Sequence, residues 1–132
     1  MVDFTVDYCV RRDIAIVAIT GGCNDRCAEE LKRLLGRLMS EGYMKYILDV
    51  SGLSFAETPG FRLIMLKVAE LQELGGGLVV VGLCGRVERA FNLLKLGTLV
   101  PVANDVASAI SEMSDAHWAD IIRMALPARG FR

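Results

Sequence analysis

A chain of 132 residues, 53% hydrophobic and 23% charged, fits one globular domain that buries a core without disulfides or metals. A net charge of −1 with both signs interspersed argues against a nucleic-acid surface, which shows as a clustered basic excess. No apolar run approaches the roughly 18–20 residues of a membrane span, and the opening MVDFTVDYCVRRD lacks the layout of a secretion signal. The expectation is a cytoplasmic protein without direct membrane insertion.

Phe4 to Val10 alternates apolar and polar residues, the pattern of a half-exposed strand. Ile14 to Ile19 is continuously apolar and reads as a buried strand, joined to the first as a hairpin across Arg11-Arg12-Asp13. Asn24 or Asp25 caps a helix carrying Leu31, Leu34, Leu35, Leu38 and Met39 on one stripe, and Gly42 stops it. Tyr46 to Val50 is a third strand. A short polar loop follows, then a helix from Thr58-Pro59-Gly60 to Leu74, which Gly75-Gly76-Gly77 ends by supplying positive φ.

Leu78 to Leu83 forms a fourth strand, and Gly85 opens a short helix with Val87, Ala90, Phe91 and Leu94 on one stripe. Val100 to Val102 reads as a last short strand, and Val106, Ile110 and Met113 as part of another helix. This alternation predicts an α/β fold, a mixed, mostly parallel sheet with helices packed on it. From Ser114 onward Trp118, Ile121, Ile122 and Ala125 mark one more amphipathic helix. The expected division is therefore a domain over 1–113 and a C-terminal helix and tail over 114–132. That helix either seals the core or docks a partner or a second copy, making a homodimer.

Catalytic machinery is thin. The chain has no GxGxxG, no phosphate loop with its lysine, no GxSxG, and its one histidine, His117, stands far from any candidate nucleophile. The glycine triplet follows a helix and precedes a strand, the reverse of a phosphate loop. Cys23 and Cys27 lie four apart with no second pair, so the four cysteines read as free thiols and no metal or cofactor is expected.

The loop before the second helix is the informative place. Thr58 suits an N-cap and Pro59 the first helical position, with the amides of Gly60 and Phe61 directed at the Thr58 side chain. A phosphate on Thr58 would meet those donors and the positive helix end. Phe61, Ile64, Met65, Val68 and Leu71 make a core-facing stripe. Leu63 and Leu66 point the other way among Arg62, Lys67, Glu70 and Glu73, where they would form a small docking patch.

Three stretches carry a family likeness: Gly21-Gly22-Cys23-Asn24, the run from Leu48 through Asp49-Val50-Ser51-Gly52-Leu53-Ser54-Phe55-Ala56-Glu57-Thr58-Pro59 to Gly60, and Gly76-Gly77-Leu78-Val79-Val80-Val81-Gly82. They resemble, in order, the Gly-Glu-Leu-Asp, the Leu-Asp-Leu-Ser-Gly-Val-x-Phe-x-Asp-Ser-Ser-Gly and the Gly-Gly-x-Leu-x-Leu-x-Gly segments of STAS domains, the module of anti-sigma-factor antagonists and sulfate transporters. The likeness runs over roughly residues 4 to 113. It implies a non-enzymatic regulator that binds an anti-sigma factor acting as a serine kinase. Thr58 stands at the family's phosphorylation position, and a serine/threonine phosphatase is the implied second partner.

The implied partner surface is Asn24, Glu57, Thr58, Pro59, Gly60, Arg62, Leu63 and Leu66, with Asp49 and Ser51 shaping the loop. Glu57, Pro59, Asn24 and Gly22 stand where the family has Asp, Ser, Asp and Glu. The changes at Pro59 and Gly22 favour an alternative, a constitutive docking subunit of a lipid-transport ABC complex or a signalling scaffold. A small-molecule or nucleotide-sensing module is the other alternative.

Overall fold

A computed structural model describes residues 3–113. The amphipathic stretch around Trp118, Ile121, Ile122 and Ala125 lies outside the described residues. The elements are β1 (Phe4–Arg11), β2 (Ile14–Cys23), α1 (Asp25–Ser40), β3 (Lys45–Ala56), α2 (Thr58–Glu73), β4 (Gly77–Val81), α3 (Gly85–Leu93), a 3-10 turn (Leu96–Thr98), β5 (Val102–Ala103) and α4 (Val106–Met113).

The five strands lie in one sheet in chain order, β1-β2-β3-β4-β5. β1 pairs antiparallel with β2 through the expected hairpin, and the other three neighbours are parallel. Parallel strands require a crossover, and the helices supply it. Ala15, Val17 and Ile19 of β2 and Tyr46, Leu48 and Val50 of β3 face the main core, with α1, α2 and α3 packed over them. Ile14, Ile16, Ile47, Val79 and Val81 face the other side, where Ala109 and Met113 of α4 cover them. The continuous apolar runs are thus strands buried on both faces.

Both long helices end the same way. After α1, Gly42 has φ +102 and the Tyr43 amide donates to the Leu38 carbonyl at 3.1 Å. After α2, Gly75 has φ +86 and the Gly76 amide donates to the Leu71 carbonyl at 2.8 Å. Each is the double closure that a left-handed residue permits just past a helix. At the α1 start Asn24 is the cap, its side-chain oxygen accepting from the Cys27 amide at 3.0 Å.

Two expectations need correction here. Residues 51–56, expected as a polar loop, continue β3 through Ala56. They pair with a four-residue continuation of β2, Thr20 with Gly52 and Cys23 with Ala56, two register shifts absorbing the difference in length. The last strand is also displaced, beginning at Val102 where Val100 was expected.

Candidate functional site

The long ends of β2 and β3 run side by side and each hands over to a helix, so the N-termini of α1 and α2 emerge at one end of the sheet. The junction is pinned at several points. The Glu57 amide donates to the Cys23 carbonyl at 2.9 Å, and the Ser54 hydroxyl donates to the Gly21 carbonyl at 3.0 Å. Gly60 sits so close to Cys23 that a Cβ there would lie 3.0 Å from the sulfur. A larger residue would crowd Cys23 at the strand end, so the buried Gly60 lets α2 start close against β2.

Thr58 is exposed, but it is not the helix cap. Glu57 occupies that position with extended backbone, φ −99 and ψ 169, and its side chain makes no capping bond. Thr58 and Pro59 are the first two helical residues. The Gly60 and Phe61 amides, expected to point at the Thr58 side chain, donate instead to the Glu57 carbonyl at 2.9 and 3.4 Å. The helix therefore begins one residue earlier than expected, directly after Glu57, which still has extended backbone beyond the end of β3 at Ala56. The Thr58 hydroxyl is left facing solvent on the first turn of α2.

Asp49 and Ser51 shape the backbone, as expected. Asp49 Oδ1 accepts from the Ser51 amide at 3.0 Å. Gly82, at φ +81, packs against both residues so closely that a Cβ would meet Ser51 at 2.7 Å. On the far side Arg86 of α3 stacks over the Phe55 ring at 5.8 Å, tying α3 to the end of β3.

Behind Thr58 a groove of about 370 Å³ runs between α1 and α2. Pro59, Arg62, Leu63 and Leu66 form its α2 wall, and Asp25, Ala28, Glu29 and Lys32 its α1 wall. Leu63 is 7% exposed and Leu66 61%, so the pair does not form the exposed patch the sequence predicted. Leu63 belongs to the core, because α2 packs on α1 as well as on the sheet and so buries two faces. Met65, expected in the core stripe, is half-buried against it. Of the expected surface, Leu66, Arg62 and Pro59 share the groove, while Asn24, Glu57 and Thr58 occupy the ends of the strands and helices beside it.

The α1 wall escaped the sequence reading. Asp25, Ala28, Glu29 and Lys32 recur at helical spacing where the polar face of α1 borders the core, a row that means nothing until α2 is laid beside it. Cys23 and Cys27 lie under the same corner, both buried and free. The hydrogen bond to Cys27, and then burial, push the Cys23 thiol up, so it stays a neutral thiol. Among the described residues no cluster of three or more His, Cys, Asp or Glu is arranged to hold a metal. Nor is any described helix long and apolar enough to cross a membrane.

The STAS domain family model matches residues 5–109. The chain belongs to the STAS domain family. A putative anti-sigma factor antagonist, BtrV of Bordetella bronchiseptica, is 27% identical over 101 residues, spanning 76% of this chain and 87% of BtrV. The crystal structure of an anti-sigma factor antagonist from Mycobacterium paratuberculosis superposes with a TM-score of 0.78 at 18% identity, covering 86% of this chain and 96% of that one. The anti-sigma factor antagonist SpoIIAA in its unphosphorylated form superposes at 0.71 with 19% identity, covering 85% and 96%. The phosphorylated form of SpoIIAA, a Bacillus protein, gives 0.64. This chain is thus a STAS domain similar to proteins named anti-sigma factor antagonists.

Proposed function

We propose that this STAS domain binds a serine-kinase anti-sigma factor in the cytoplasm, without enzymatic activity of its own, and that phosphorylation of Thr58 releases the partner. The carrying observation is the exposed Thr58 on the first turn of α2, next in sequence to Pro59, which lines the groove between α1 and α2. That SpoIIAA, similar in fold, exists in a phosphorylated form supports the reading.

The surroundings of Thr58 support a switch that acts on the partner and not on the fold. The nearby amides are already spent on the Glu57 carbonyl, so a phosphate on Thr58 gains no enclosing cradle and projects outward. The first turn of α2 carries no acidic residue, and the helix end favours the added charge. Arg62, four residues on, lies on the same helical face and is the cation placed to meet the phosphate. The fold therefore tolerates the modification, and the effect falls on the partner. A phosphate adds about −1.5 to −2 charges at pH 7. Burying that charge unpaired in an interface costs on the order of 2–5 kcal/mol, weakening binding about 30-fold to several thousand-fold. A phosphatase restores the binding state.

A second reading draws on Pro59. Thr58 sits inside a helical turn that the proline stiffens, a poor shape for entering a kinase active site. The same groove would then dock a transporter or scaffold subunit permanently.

Affinity capture with the wild type, Thr58→Ala and Thr58→Glu, followed by mass spectrometry, separates the two. The switch predicts a kinase-like partner held by wild type and Thr58→Ala, lost with Thr58→Glu, and phosphate found on Thr58. Equal capture of one partner by all three proteins refutes the switch and leaves constitutive docking.

A further inference from the structure

β1 is the end strand of the sheet, and its outer edge pairs with no other strand among the described residues. Exposed strand edges ordinarily carry a proline, a lysine or a bulge that discourages pairing. β1 has none of these: it is eight residues, FTVDYCVR, in unbroken register with β2. Its two large apolar residues near the hairpin, Tyr8 and Val10, are 45% and 37% exposed.

The backbone polarity of this edge follows from one bond. The Gly22 amide donates to the Asp3 carbonyl at 3.2 Å, in line with the Phe4–Gly21 register. Odd-numbered residues of β1 therefore turn their N–H and C=O groups toward β2, and Val6, Tyr8 and Val10 turn theirs outward. Side chains alternate as well. Phe4 and Val6 pack against the core beneath α1, and Arg37 of α1 lies over the Tyr8 ring at 5.4 Å. Asp7, Cys9 and Arg11 consequently line the opposite face.

We propose that β1 pairs antiparallel with β1 of a second copy of this chain, with the two-fold axis passing between the two Cys9 residues. In that register Tyr8 faces the partner's Val10 and Val10 the partner's Tyr8, each as a hydrogen-bonded pair joining an aromatic to a β-branched residue. Asp7 faces the partner's Arg11, and Arg11 the partner's Asp7, so two ion pairs flank the axis. Sliding the strands by one pairing step breaks this match. One direction sets Asp7 against Cys9, and the next step sets Asp7 against its own copy. Opposite charges four residues apart are self-complementary in one register only, which is why the occupant is a second copy and not an arbitrary strand. Cys9 falls at a non-hydrogen-bonded pair, where Cα atoms stand about 4.5 Å apart, within disulfide reach.

This dimer is independent of any role for Thr58. The test uses the full chain with Cys84→Ser, which removes the other exposed thiol. Sedimentation equilibrium is expected to show a reversible dimer, weakened about tenfold by Asp7→Arg or Arg11→Asp and restored in the double swap. Diamide, which accepts two electrons and two protons, is expected to convert the two Cys9 thiols to an intermolecular disulfide, lost in Cys9→Ser. A monomer at every concentration overturns the proposal and leaves the edge to a strand of another protein. A dimer indifferent to the swaps, or one that gives no Cys9 disulfide, overturns it too and places the interface elsewhere on the surface.

Discussion

Tyr46 shows how much a single side chain can hold in this core. It is fully buried, the largest such residue in the structure, and its hydroxyl donates to the Tyr43 carbonyl at 2.7 Å. Burial, and then the Glu41 charge, push its phenol up to about 12 from an ordinary value of 10.0. The folded state therefore prefers the neutral phenol. This stabilisation is complete below about pH 10 and disappears as the pH rises toward 12. The loss amounts to about 2–3 kcal/mol across that window. Denaturant titrations at pH 9 and pH 12 are expected to show it in the wild type and not in Tyr46→Phe. That variant starts about 1 kcal/mol less stable because its hydrogen bond is gone. Residue roles were only partly legible in the sequence. Asn24 capped as the chemistry of its side chain suggests, and Thr58 proved exposed. Leu63 was misplaced because a single-stripe reading assumes that a helix touches one neighbour, whereas α2 touches two.

At the scale of elements, boundaries set by backbone chemistry were readable and those set by pairing were not. Gly42 and Gly75 stop their helices where the sequence placed the stops, since positive φ past a helix is a local property. The six residues added to β3 look like a loop, with Ser51, Gly52 and Ser54 among them. They are a strand only because β2 runs equally far beside them. The glycine triplet separates two kinds of requirement. Gly75 needs its left-handed backbone but has open space around its α-carbon. Gly76 has an ordinary φ, yet a Cβ would lie 2.1 Å from the Met44 carbonyl oxygen. Gly75→Ala is therefore expected to cost about 1–2 kcal/mol. Gly76→Ala, which must displace backbone, costs about 3 kcal/mol or more. Urea midpoints of the two variants check the ranking, and an equal loss would contradict it.

For the whole molecule, the fold class could be read from the strand and helix alternation, which leaves few ways to close a parallel sheet. Neither the groove nor the self-matching edge was visible at that level, because each joins residues whose neighbours only the assembled sheet reveals. A second copy on β1 also makes stability depend on concentration, since a partner that binds only folded protein shifts the unfolding equilibrium. The melting temperature is expected to rise with protein concentration in the wild type, and in Asp7→Arg to begin that rise only at about tenfold higher concentration. The sheet order has a further result. Every strand pairs with the one made immediately before it, so the sheet grows from β1 across to β5 in the direction of synthesis. A chain emerging from the ribosome never has to hold a gap open for a strand still to come, and each new strand meets a finished edge. Growth ends at β5, two residues long, too short to recruit anything further.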